Sequence, residues 1–483
     1  MAAFPITRGG GVDRSGRRVA SWRREGSLPR AAVAVLAAAA CSFVLVLVAL
    51  RLPVQVSMVC IGMMAAVILG SRTGIVALVV VLVPTLGLVR RLVSGGDSGS
   101  GQDPLLVLPS LLVLSVVFWS VFRPQAERRS RMPGALVLGT IVGAGLSFAL
   151  SGQLGVEPLY YAAVLVLPLC LAYVISTGQL PDVWGTVRRL LPPLGFLVGT
   201  YGLFQFFVLP QWDRNWMRAS GLTSIGAPEP LQVRLFGASE SPGPYSLFIG
   251  TVVVLCLVQV VVETRVGKRL AWASLGAYLL LPLVLSGVRS ALIGVAICAL
   301  LLALIRARGF KRVLVVAFLA GGYYVLTSAI GRFGATSSIL SADRYTDLSN
   351  DASLAARLDL LQYLREPWRY VLGNPAAPTM DNLFIDVLVR FGLIAAVCMV
   401  LLVGYVGVVA VRNLVSKQRE DAALAAMFIA IATLFGPVFN STFGILIGII
   451  FGTVMASSKV LGAAADGSTS AGKAGSDERS LSG

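Results

Sequence analysis

Apolar positions along this chain come in long unbroken blocks, not in alternation. Stretches of about 20 residues with almost no charge recur from 31 to 461. A helix needs ~20 such residues to cross the ~30 Å hydrocarbon core of a bilayer. The pattern predicts fourteen spans: 31–50, 54–70, 73–89, 105–122, 134–150, 159–177, 190–210, 244–263, 270–286, 291–305, 313–329, 391–411, 422–437 and 443–461. The strands of a membrane barrel would instead alternate over about 10 residues. Helices satisfy their own backbone hydrogen bonds inside lipid. The expected fold is an all-α polytopic transmembrane helical bundle of about 12–14 spans.

Polar interruptions divide the rest. Residues 1–30 are basic and Gly-rich, and 462–483 are Gly, Ser and Ala with scattered charges. Both are expected to be disordered tails on the cytoplasmic side, with the transmembrane domain at 31–461 between them. Two loops, 211–243 and 330–381, are long and are expected outside the cell, where function concentrates in a compact membrane protein. Trp212 and Trp216 at the start of the first read as interfacial anchors. In the second, Asp351 or Ser353 would cap a short amphipathic helix that Pro367 ends. At ~100° per residue, Leu354, Leu358, Leu360, Leu361 and Leu364 share one broad face. That helix is expected to lie on the membrane surface or over the mouth of the bundle.

Composition agrees. The chain is 56% hydrophobic and 13% charged, about half the charge of a soluble domain. Its net charge of +17 raises the question of nucleic acid. The distribution answers it: with the N-terminus in the cytoplasm, most of the 40 Lys and Arg fall on cytoplasmic segments, as topology requires. No nucleic-acid partner is expected. All six cysteines lie inside predicted spans, so neither a disulfide framework nor a metal cluster is expected.

A few charges escape this explanation. The apolar stretch 270–305 is too long for one span and must turn, most naturally at Ser286-Gly287. Arg289 then sits on a tight external hairpin, against the local charge preference. It either snorkels to lipid phosphates or faces the bundle interior as a functional cation. Arg234 precedes a Gly- and Pro-rich re-entry at the same depth, and reads as a solvated loop charge or a second such cation. Arg357 falls inside the leucine arc, as a snorkelling residue or a cation aimed into a cavity. Asp381 ends the long loop beside Asn382; it is a helix cap or a general base. Asp386 and Arg390 are four apart and are expected to pair on one helix face.

Four pieces, in order, resemble the bacterial O-antigen polymerase and ligase superfamily. They are Arg234-Leu235-Phe236-Gly237 followed by Pro242; Ser286-Gly287-Val288-Arg289-Ser290-Ala291; 353–373 with Arg357, Trp368 and Leu372-Gly373; and Asp381-Asn382-Leu383 running to Phe391-Gly392-Leu393-Ile394. The resemblance covers about 190–411. One departure matters. The family commonly shows His-Asn where this chain has Asp381-Asn382, and this chain has no histidine at all.

The resemblance implies a metal-independent glycosyltransferase without a cofactor, in the bacterial cytoplasmic membrane with both termini inside. It would polymerise or transfer a polyprenyl-diphosphate-linked oligosaccharide at the external face. The family's base would fall to Asp381. Arg234, Arg289, Arg357 and Asn382 would bind substrate, the arginines meeting the diphosphate. Implied partners are the lipid-linked glycan donor, a glycan or lipid acceptor, membrane lipids and other polysaccharide-export components. A flippase for the same lipid and a non-catalytic envelope scaffold stay open as alternatives.

Overall fold

Long apolar helices with few internal charges leave little choice of architecture, and a computed structural model describes the result for residues 56, 58–63, 71–93, 103–121, 131–153, 155–180, 183–221, 225–305, 309–333, 355, 358–416, 420–434, 439 and 441–457. Both expected tails, the span at 31–50, most of 54–70, and Arg357 lie outside these residues.

Among the described residues the protein is helical, with one isolated bridge between Gly226 and Val233. The helices are α1 (Arg72–Val93), α2 (Leu108–Val121), α3 (Arg131–Ser151), α4 (Val156–Ser176), α5 (Val183–Val208), α6 (Gln211–Ser220) and α7 (Pro242–Val262). They continue as α8 (Val266–Leu285), α9 (Arg289–Ile305), α10 (Phe310–Phe333), α11 (Leu383–Ser416), α12 (Glu420–Leu434) and α13 (Gly444–Ser457). Eight of these are long and apolar enough to cross a membrane. The protein is an all-α, multi-pass membrane bundle. Twelve of the fourteen spans read from the sequence coincide with helices, from 73–89 through 443–461.

Burial follows composition. Helix α7 is apolar on every side, and 89% of its spanning window is buried. It packs against α5, α8, α9 and α12, as expected of a helix without a polar face. Helix α10 is peripheral, with only 11% buried. The α3–α11 interface depends on small residues that let backbones approach: a Cβ on Gly143 would stand 2.7 Å from the Ala395 nitrogen. A Cβ on Gly448 of α13 would likewise clash with the Pro168 carbonyl of α4.

Three departures from the sequence reading bear on function. The 211–243 loop begins with the helix α6, whose Trp216 is buried against Phe236 and whose Trp212 Nε1 donates to the Tyr201 hydroxyl at 2.8 Å. Trp216 thus faces inward and is not an interfacial anchor, while Trp212 is half-buried. Helix α11 starts at Leu383, well before the expected 391, and is broken at Gly392, whose φ of 86° and ψ of 173° are non-helical. The predicted amphipathic helix is helical at 355 and 358–359, then passes into 3-10 turns at Leu360–Leu364 and Pro367–Tyr370. Pro367 opens the second turn, where its fixed φ suits the first position.

Candidate functional site

The 225–241 loop joins several helices at one end of the bundle. Leu235 and Phe236 are fully buried, with Ala238 and Ser239 nearly so. Buried backbone must find partners, and here a side chain supplies them: Gln205 Oε1 of α5 accepts the N–H groups of Phe236 at 3.2 Å and Gly237 at 2.9 Å.

Arg234 reaches from this loop to the turn between α8 and α9. Its Nε donates to the Ser286 carbonyl and its Nη2 to the Gly287 carbonyl, both at 3.1 Å. The turn is the one expected from the sequence, with Gly287 at φ 63° and α9 starting at Arg289. Arg234 thus caps carbonyls at the C-terminal end of α8, where a cation is favoured. Arg289, half-buried in the first turn of α9, stands where a helix dipole disfavours a cation. Helix stability does not explain it. The structure therefore brings Arg234 against the turn that carries Arg289.

Behind this loop lies a charged cluster that the sequence reading passed over. Arg91, at the end of α1, is fully buried and its Nε lies 2.6 Å from Asp213 Oδ1 of α6. Its Nη1 donates to the Ser239 carbonyl at 2.7 Å, its Nη2 to the Gly237 carbonyl, and its guanidinium lies over Phe236 at 4.8 Å. Asp213 Oδ2 accepts from the Tyr201 hydroxyl and Gln205 Nε2, each at 2.8 Å. Arg90 bridges Asp103 at 2.8 Å and Glu240 at 3.4 Å. Burial pushes the Glu240 carboxyl above its ordinary range, and Arg90 beside it opposes that shift.

The Asp381-Asn382 pair lies elsewhere, at the start of α11. This helix packs chiefly on α3 and α12, whereas α9 packs on α7, α10 and α12. Asn382, not Asp381, is the cap: its Oδ1 accepts the N–H groups of Phe384 at 3.0 Å and Ile385 at 3.2 Å. Asp381 is exposed. The expected Asp386–Arg390 pair does not form among the described residues. Asp386 Oδ1 instead accepts the Met380 N–H at 2.8 Å, and the Arg390 guanidinium lies over the Tyr161 ring at 4.0 Å.

Past Arg390 the break in α11 is closed by the loop before it. The Asn374 N–H donates to the Val389 carbonyl at 2.8 Å, and the Leu393 N–H to the Val371 carbonyl at 3.1 Å. Gly373 and Gly392 make the crossing, each with positive φ and each so close to the opposing backbone that a Cβ would clash. Two motifs noted separately in the sequence, Leu372-Gly373 and Phe391-Gly392-Leu393, thus meet in one backbone contact.

The leucine face splits in two. Leu360 and Tyr363 pack toward Met380, Ile385 and Val389. Leu358, Leu361, Leu364, Trp368, Val371 and Leu372 are exposed.

Of the five residues proposed from sequence, Arg234 comes to the Arg289 turn, Asp381 and Asn382 stand on a different helix, and Arg357 lies outside the described residues. Arg90, Arg91, Asp213 and Glu240 were missed, and Arg390 was read only as a helix-face partner of Asp386. The signal was available: Arg90-Arg91 closes a span at the same side as Arg289, against the same charge preference. Among the described residues, no group of three or more His, Cys, Asp and Glu is placed to hold a metal ion. No protein-family model matches the chain, and no curated protein matches it significantly.

Proposed function

We propose that this protein is a glycosyltransferase of the O-antigen polymerase and ligase type. It polymerises or transfers a polyprenyl-diphosphate-linked oligosaccharide at the external face of a bacterial cytoplasmic membrane. The observation that carries this reading is Arg234 laid on the turn bearing Arg289. Arg289 stands against a helix dipole, and that helix end and the cation both favour an anion. A lipid diphosphate would lie at this depth.

In the proposed reaction an acceptor hydroxyl attacks the anomeric carbon of the donor sugar. The bond from that carbon to the diphosphate oxygen breaks, and the polyprenyl diphosphate leaves with the electron pair. Asp381, exposed beside the Asn382 cap, takes the hydroxyl proton. Arg289, Arg234 and Arg357 meet the charge on the leaving group.

The flippase alternative has one observation in its favour, the discontinuous α11, a device of transporters. Transporter breaks lie near the bilayer midplane. Here 393–416 alone reaches ~36 Å at ~1.5 Å per residue, enough to cross the ~30 Å core. That puts the break near the membrane surface and favours surface chemistry.

The test is a charge reversal in cells. Arg289→Glu is expected to abolish polymer while the protein remains in the membrane at its normal level. Polymer of wild-type length from this variant would refute the assignment.

A further inference from the structure

Arg390 is the most unusual charge in the described bundle. It is only 2% exposed, and among the described residues its Nε and Nη1 have no hydrogen-bond partner. Its guanidinium rests on the Tyr161 face, which offers attraction but no acceptor. Two carboxylates lie within electrostatic reach of that ring, Glu157 and Asp386. Neither forms an ion pair with Arg390 among the described residues, and Asp386 Oδ1 is engaged by the Met380 N–H. A buried donor without an acceptor is destabilising, so a structural role explains Arg390 poorly.

The backbone around it is fixed from outside the helix. Ser147 Oγ donates to the Arg390 carbonyl at 2.9 Å, and the Asn374 N–H to the Val389 carbonyl. The main chain that carries the guanidinium is thus held just before the break at Gly392. With 393–416 long enough to span the core, Arg390 falls at the depth of headgroup phosphates.

Nε and Nη1 lie on different edges of the guanidinium, so one acceptor atom cannot serve both. Each edge needs its own acceptor oxygen: a phosphate forks onto one edge, and the second phosphoryl group of a diphosphate offers oxygens to the other. We infer that Arg390, with Tyr161 as its platform at the break in α11, is a binding residue for a phosphate or diphosphate group at the membrane surface. The inference deepens the proposed function and rests on it, since the diphosphate of the lipid-linked donor is the group that reading brings to this depth.

The test uses full-length protein in lipid nanodiscs, titrated separately with inorganic pyrophosphate and a short-chain prenyl diphosphate, with the thermal midpoint as readout. The wild type is expected to gain about 2–4 °C at saturation, and Arg390→Met to gain nothing. A response to both ligands supports recognition of the diphosphate itself. A response to the prenyl compound alone supports a lipid-borne group. Without ligand, Arg390→Met is expected to melt no lower than the wild type, because it removes a buried charge with unmet donors. A variant melting well below the wild type would make Arg390 structural and overturn the inference. So would a wild type indifferent to both ligands, or a variant that responds as the wild type does. Glycan elongation separates the two readings. Elongation at wild-type rate by Arg390→Met overturns this inference and leaves the proposed function standing. Diphosphate binding through Arg390 without any elongation supports this inference and removes the proposed function.

Discussion

The two loop regions, 225–241 and 358–382, invert the usual relation between hydropathy and burial. The first contains Arg234, Ser239, Glu240 and Ser241, yet its centre is sealed, with Phe236 fully buried. The second is rich in leucine and aromatics, yet Trp368 is 65% exposed and Leu358, Leu361 and Leu364 are also exposed. Two solvents explain the inversion. Inside the bundle, helix ends and buried charges offer the hydrogen bonds that a polar loop needs, as Gln205 and Arg91 do. At the membrane boundary, lipid accepts an apolar surface that water would not. The polar loop is therefore the keyed part of the structure, whereas the apolar loop packs on α11, tied down where Gly373 crosses Gly392.

That contrast can be broken at the tie. Gly392→Val introduces a side chain at φ 86°, where its Cβ would stand 2.5 Å from the Val371 carbonyl. The expected cost is about 3 kcal/mol or more, seen as loss of folded protein in detergent by size-exclusion chromatography. Within the keyed loop, Asp213→Ala leaves Arg91 buried without its counter-charge. It should destabilise by about 3–5 kcal/mol, measured as a fall in thermal midpoint. The double replacement of Arg91 and Asp213 by leucine is expected to recover much of that loss.

Smaller effects sharpen the comparison. Arg234→Ala removes two hydrogen bonds to the Ser286 and Gly287 carbonyls. A loss of about 1–3 kcal/mol is expected, as for bonds to a charged group, with a larger loss of polymer than of stability. Trp368→Ser, in the exposed loop, should change stability by less than about 0.5 kcal/mol. Trp368 retained as the only tryptophan should be quenched by brominated lipid, and Trp216 retained alone should not. Equal quenching of the two would erase the distinction between the loops.

The bundle was legible because spanning helices are written in unbroken apolar blocks, and the Ser286-Gly287 turn because 270–305 is too long for one helix. The site was less so. Sequence periodicity ties residues on one helix and says nothing of partners across it. Arg390 was assigned to Asp386, four positions away, but its guanidinium found Tyr161 of α4. Nothing in the pattern gives Arg91 a partner, because Asp213 lies on a helix that the loop was not expected to contain. Asp381 was assigned the cap that Asn382 makes, since both residue types serve that role and only geometry decides. The pairing of Gly373 with Gly392 needed the fold, although each motif stood out alone.

The most direct measurement is elongation in proteoliposomes: purified protein with a polyprenyl-diphosphate-linked oligosaccharide, scored for longer glycans, beside Arg289→Ala and Asp381→Ala. The proposed function predicts elongation by the wild type and its loss in both variants. Donor carried across the bilayer with no glycan lengthened would contradict it and identify a flippase instead.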